Sequence, residues 1–282
     1  MADPIPPGQR AVSMKLTGRA RSGSVGATRR LGLIIVDAQL DFCEGGALAV
    51  PGGGEVIPLL NRMRAEGDWS AVVLTQDWHP PDHKSFASNN AGAALFSVVE
   101  LPGIGPQMMW PNHCVQNSAG AQFHPQLERA PGDHVVQKGT HAATDSYSGF
   151  GDASADKHFE KTPLERILRE AGVTDVFVGG LATDYCVSYT CKDAALAGFN
   201  TFCVLPATRH IAPESLAEEL AAMRKLGVHI VESVDDVPAK ATLEALRRED
   251  EEARSEAEAK RTHALAHGVP LGSGSGSSAV SS

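Results

Sequence analysis

Chemistry-bearing side chains stand just past the ends of four short apolar runs. "LGLIIV" (31–36) leads into Asp37, and "AVVLTQ" (71–76) leads into "DWHPPDHKSF", which carries Asp77, His79 and His83. "HVVQK" (134–138) ends on Lys138, and "TDVFVGG" (174–180) leads through "LATDY" to Cys186. A thiol where a buried strand gives way to a helix can pack, bind a metal or attack as a nucleophile. Near a helix N-terminus the macrodipole and free N–H groups favour the thiolate. A nucleophile also needs a base. Asp37 follows an all-apolar segment, and a carboxylate in a largely apolar cleft has a raised pKa. It can then take a thiol proton and pass it to a leaving amine. Lys138 offers a fixed positive charge to hold both partners. Each residue alone has a plainer reading: core packing for Cys186, a cap for Asp37, a surface lysine for Lys138. Three different strand ends supplying the three argue against coincidence.

A second set has the types of metal ligands. Asp77 and His79 sit one residue apart on an extended segment and so face the same side. "MWPNHC" supplies His113, which alone would pass for a structural histidine. One carboxylate and two imidazoles with open positions suit Zn²⁺, Fe²⁺ or Mn²⁺. His83 stays open as a fourth ligand or a supporting group. Cys114 adjoins His113, but neighbours in an extended chain point opposite ways.

These residues need a frame. The four runs, with "NTFCVLPA" (200–207) and "GVHIVES" (227–233), read as six buried strands. Helix-period segments lie between several of them: "GGGEVIPLLNRMRAEG", "TPLERILREAG", "TDYCVSYTCKDAALAG" and "APESLAEELAAMRKLG". The second has Thr162 as N-cap, Pro163 at its first position and Gly172 at its stop. The alternation predicts right-handed βαβ crossovers and a three-layer α/β/α, Rossmann-like fold around a mostly parallel sheet of about six strands. Ligands of such sheets bind outside the carboxyl ends of the strands. Residues 77–133 show no convincing strand, and a stretch that long is usually functional.

The chain has 282 residues, 42% hydrophobic, with a formal net charge of -9, part of it in "REDEEARSEAEAK". That supports a sizeable core and gives no basic face for nucleic acid. No run reaches the eighteen apolar residues of a membrane span. Five scattered cysteines without paired spacing or a signal peptide lead us to expect a reducing, cytoplasmic setting. Residues 1–30 carry six Lys or Arg against one Asp and read as a disordered basic arm or an organelle transit peptide. A single folded domain is expected over 31–239. A charged helix, solvated or an oligomer contact, follows at 240–266, and a flexible tail at 267–282.

Five motifs in order, "IIVDAQLDFCEGGALAVPGG", "TQDWHPPDHKSFAS", "MWPNHCVQNSAGAQFHPQL", "QKGT…DSYSGF" and "GGLATDYCVSYTCKDA", make residues 31–235 resemble the nicotinamidases (pyrazinamidases) within the isochorismatase-like cysteine hydrolases. The resemblance implies that Asp37, Lys138 and Cys186 form a catalytic triad, and that Asp77, His79 and His113 bind one divalent metal, zinc foremost. It implies a non-proline cis peptide at Leu181–Ala182, an oxyanion hole from the N–H groups of Ala182 and Cys186, and a substrate site with Phe42, Trp110, Tyr147 and Leu181. The implied reaction converts nicotinamide to nicotinate and ammonia through a thioester. The sequence departs from the family at Asn117-Ser118 and in the middle of "KGTHAATDSYSGF", which bears on substrate breadth. Metal-free N-carbamoyl amidohydrolases and isochorismatases share the fold. The first do not need the Asp77–His79–His113 set, and the second typically lack the cysteine. A catalytically silent scaffold would be marked by a missing triad residue.

Overall fold

The computed structural model describes residues 29–102, 105–151, 161–239 and 255. The chain divides into two compact units, Met1–Val237 and Pro238–Ser282. The basic arm before Arg29, the charged helix at 240–266 (Ser255 apart) and the tail at 267–282 lie outside the described residues.

The expected strands all form: β1 (Leu31–Val36), β2 (Trp69–Asp77), β5 (His134–Lys138), β6 (Asp175–Leu181), β7 (Asn200–Arg209) and β8 (His229–Val231). Contrary to expectation the two edge strands are not buried throughout: His134, Val135 and Gln137 of β5 and His229 of β8 are exposed. They make a sheet in the order β5-β2-β1-β6-β7-β8, every pair parallel. All six residues of β1 are buried, because helices cover both faces. Helix α1 (Val56–Glu66) packs on β6 and β7. Across the sheet, Ile34, Val36 and Val178 share a cluster with Leu164 and Leu168 of α2 (Leu164–Glu170), Cys191 of α3 (Ser188–Leu196) and Met223 of α4 (Pro213–Lys225). Thr162 Oγ1 accepts from the Leu164 N–H at 3.3 Å, but α2 starts one residue later than expected, at Leu164, with Pro163 rather than Thr162 as its N-cap.

The topology positions the site. From β1 the chain steps outward to β2 and β5, then returns to the other side of β1 for β6. The strand order therefore reverses between β1 and β6, where the carboxyl ends part and leave a crevice. Asp37 and Cys186 follow those two strands.

Two expectations need correction. The interval 77–133 does contain strands: β3 (Val98–Leu101) pairs antiparallel with β4 (Gly105–Met108). "GPQM" has no apolar alternation, and the ribbon stands apart from the main sheet, so no buried pattern announces it. The segment after β6 is also not regular helix from its start. Thr183–Val187 forms a wide π-type turn in which Tyr185 has φ -130° and ψ -107°, and α3 begins only at Ser188.

Candidate active site

Asp37 is fully buried in a left-handed conformation, φ 45°. Thr75 of β2 fixes it twice: the Asp37 N–H donates to Thr75 Oγ1 (3.2 Å), and that hydroxyl donates to Asp37 Oδ1 (2.6 Å). The other oxygen, Oδ2, lies 2.9 Å from Lys138 Nζ, with no well-aligned hydrogen bond of its own. The buried Lys138 ammonium also meets Asp77 Oδ1, donates to the Ser146 carbonyl at 3.0 Å and reaches Cys186 Sγ at 3.3 Å. Residues from the ends of β1, β2, β5 and β6 thus meet around one charge.

The electrostatics follow from burial and that charge. Desolvation raises the Asp37 pKa, and Lys138 only partly opposes it. Burial would also raise Asp77, but Lys138 and then His79 outweigh it and hold that carboxyl below the usual range. For Lys138, burial acts against the charge, yet Asp37 and Asp77 keep the amine protonated well above its ordinary value. Burial pushes the Cys186 thiol well up, against the pull of Lys138. The resting thiol therefore holds its proton, beside a carboxylate whose proton affinity is raised.

Asp77, His79 and His113 present one ligand atom each within 4.8 Å of one another, all buried. His79 Nε2 is 3.4 Å and His113 Nε2 3.9 Å from Asp77 Oδ2. Each ring is oriented through its other nitrogen: His79 Nδ1 pairs with the Gly139 carbonyl (2.9 Å), His113 Nδ1 with that of Pro111 (2.8 Å). Carbonyl-oriented imidazoles turning Nε2 toward a shared carboxylate have the outer support of metal-ligating histidines. The three residues fit a divalent ion. Gly139 makes room for this, since a Cβ there would come 2.4 Å from His79 Cε1. His83 lies near, its ring centroid 4.4 Å from that of His79, but its nitrogens are engaged with Ser85 Oγ (2.8 Å) and the Thr144 carbonyl (3.2 Å). Among the described residues His83 is not in the ligand trio. Cys114 is buried and its N–H donates to Asp41 Oδ2 at 2.7 Å, outside the ligand trio.

Both groups open onto a cleft with roughly 380 Å³ of empty space, its open mouth included. Cys186, Asp77 and His113 lie on its wall, with Phe42, Trp110 and Tyr147. Trp110 Nε1 donates to Tyr147 Oη at 3.1 Å, and Phe42 packs on His113 with centroids 5.6 Å apart. The Leu181–Ala182 peptide is cis as expected, and Ala182 lines the cleft. Leu181 does not join that wall. It closes β6 opposite Arg209 of β7 and is 1% exposed.

Comparison with known proteins agrees with this geometry. The isochorismatase domain family matches residues 32–235. A nicotinamidase from Acinetobacter baylyi is 43% identical over 179 residues, 64% of this chain and 81% of that protein. The chain belongs to the nicotinamidase family. Its members are amidohydrolases with the isochorismatase-like fold. A solved nicotinamidase from Acinetobacter baumanii superposes with TM-score 0.68 at 39% identity, covering 73% of this chain and 98% of that one. A Pyrococcus horikoshii pyrazinamidase solved in complex with zinc has TM-score 0.59 at 35% identity, over 72% of this chain and 99% of that one.

Against this family frame, the sequence reading missed five residues of the wall: Leu48, Val50, Asp145, Tyr185 and Ile211. Tyr185 stacks edge-on against Trp110 (5.2 Å) and Tyr147 (5.5 Å), closing an aromatic wall. Its adjacency to the nucleophile was the available signal. Asp145 also lines the cleft, accepting from Gln107 Nε2 of β4 at 2.9 Å. Nothing short of the unforeseen ribbon could have placed it.

Proposed function

We propose that this chain hydrolyses nicotinamide to nicotinate and ammonia, with Cys186 as nucleophile, Asp37 as proton shuttle and Lys138 as their electrostatic anchor. The observation that carries the reading is the Cys186 thiol 3.3 Å from an ammonium that Asp37 shares, at a cleft walled by aromatic rings and bordered by the Asp77–His79–His113 trio. Asp77, His79 and His113 hold a divalent ion, zinc foremost, with iron or manganese fitting the same donors. When bound, that ion supplies a Lewis acid for the ring nitrogen of the substrate.

The ring lies between Phe42 and the Trp110–Tyr147–Tyr185 wall, which presents the carboxamide to Cys186. Asp37 takes the thiol proton and sulfur bonds to the amide carbon. The N–H groups of Ala182 and Cys186 hold the oxyanion, an effect worth roughly 3 kcal/mol per donor. Asp37 returns the proton to nitrogen, the C–N bond breaks and ammonia leaves. A water then gives a proton to Asp37 and attacks the thioester, and the proton passes back to the departing sulfur as nicotinate is freed. All five cysteines are unpaired and buried, which suits a reducing compartment such as the cytoplasm. Among the described residues no helix is long and apolar enough to cross a membrane.

The test is ammonia release from nicotinamide by metal-replete wild type, Cys186→Ala and a chelated sample. Turnover by wild type, abolished in the variant and restored to the chelated sample by zinc, is the expected result. Well-folded wild type that releases no ammonia would overturn the substrate assignment.

A further inference from the structure

The nucleophile's surroundings are themselves a set of metal ligands, with an ammonium inside. One atom each of Asp37, Asp77 and Cys186 lies within 4.8 Å of the others, all three buried. An ion with ligands at about 2.0–2.3 Å could draw that set together with small side-chain movements. Asp77 belongs to both groups through different oxygens: Oδ2 faces His79 and His113, and Oδ1 faces Lys138. Two sites sharing one carboxylate is the layout of a two-metal centre. Here the second position is filled by the protein. Lys138 Nζ sits 2.9 Å from Asp37 Oδ2 and 3.3 Å from Cys186 Sγ, against Asp77 Oδ1, and the Ser146 carbonyl holds it there at 3.0 Å.

We propose that Lys138 is a tethered monovalent cation that keeps a second divalent ion off Cys186, confining metal to Asp77, His79 and His113. The proposal rests on the metal reading given above. An ion in the lysine's place would form a metal–sulfur bond as the S–H bond broke, its proton going to solvent. It would also occupy the Asp37 lone pair that must receive the thiol proton. Nucleophile and base would both be lost. The ammonium neutralises the same carboxylates without bonding to sulfur, and its chain keeps it from exchanging with ions in solution. A neutral side chain would leave two carboxylates facing a thiol with nothing between them. That is a harder and softer donor set together, suited to zinc.

The experiment uses the full chain: equilibrium dialysis against buffered Zn²⁺ with bound metal counted per chain, for wild type, Lys138→Ala, Lys138→Met and Lys138→Ala/Cys186→Ala. One ion is expected in wild type, two in each single variant and one in the double variant. Iodoacetamide labelling of Cys186, read at its own peptide, gives a second measure. Excess zinc should leave wild-type labelling within about twofold, yet suppress it tenfold or more in the lysine variants. Methionine keeps an unbranched chain but lacks the ammonium that stands among the donors, and circular dichroism checks that each variant is folded. The same count in wild type and folded lysine variants would overturn the proposal while leaving the metal trio standing. No ion in wild type and one in the variants would uphold the exclusion and sink the trio. Strong zinc protection of wild-type Cys186 would overturn the proposal without recourse to any variant.

Discussion

Two buried aspartates lie near Cys186, the proposed nucleophile, and they are built in opposite ways. Asp184, two residues before Cys186, is saturated. Its carboxylate accepts from the N–H groups of Ile211 (3.0 Å) and Ala212 (3.0 Å) and from Ser215 Oγ (2.6 Å). It ties the turn that carries Cys186 to the start of α4. Asp37, on the other side of the thiol, has one oxygen fixed by Thr75 and the other near an ammonium without a well-aligned bond. Three donors hold the Asp184 carboxylate in place, whereas Asp37 keeps one oxygen without a well-aligned hydrogen bond. The same residue type serves as a rivet in one place and, in the proposed mechanism, as a reagent in the other. The difference lies in the number of donors supplied, since both are buried.

The sharpest way to break this contrast is to exchange the consequences. Asp37→Asn keeps the shape and removes the base. The expected outcome is a fall in kcat of about 10²–10⁴-fold with a melting temperature close to wild type. A variant that unfolds while its remaining native fraction turns over normally would make Asp37 the rivet. Asp184→Ala should do the reverse. Leaving two backbone N–H groups unpaired at a half-buried site costs about 2–4 kcal/mol, or roughly 5–15 °C in melting temperature for a domain of this size. Activity per folded molecule should stay within about tenfold. Thermal denaturation beside active-site-titrated kcat separates the two losses.

The contrast also explains what could be read from the chain. Asp37, Lys138 and Cys186 each follow a short apolar run, and in a parallel sheet that position carries three-dimensional information, because strand ends converge. The fold was legible for the same reason: "LGLIIV" and the "VFVGG" of the fourth run are apolar or small at every position and buried on both faces. Asp184 was not legible as a rivet, because its donors lie 27–31 residues away on a segment whose distance from the turn no local pattern fixes. Asp145 was hidden by the ribbon at β3 and β4, whose pairing is antiparallel, short and outside the core. Tyr185 looked like one more helix residue until the turn widened and swung it toward Trp110.

Gly139 sharpens the comparison on the reagent side, where space rather than bonding is rationed. It has φ 62°, and a Cβ would meet His79 Cε1 at 2.4 Å and Nδ1 at 2.6 Å. Gly139→Ala should turn the imidazole away from Asp77. The expected effect is a loss of metal affinity of about 10–100-fold, by analogy with loss of an outer-shell partner, measured by competition with a chromogenic chelator. Zinc bound as tightly as in wild type would show that His79 is not among the ligands.

The smallest expected effect tests the rivet at the one donor that a side chain supplies. Ser215→Ala removes the hydroxyl donor to Asp184 but leaves the N–H groups of Ile211 and Ala212 in place. A carboxylate that keeps its backbone donors loses about 0.5–1.5 kcal/mol, a shift of a few degrees in melting temperature. Because Ile211 lines the cleft and Asp184 holds its N–H, the reading also demands that KM barely move. If Ser215→Ala instead lowered kcat as far as Asp37→Asn does, Asp184 would be more than a tie. The proton path to Cys186 would then have to be sought on both sides of the thiol.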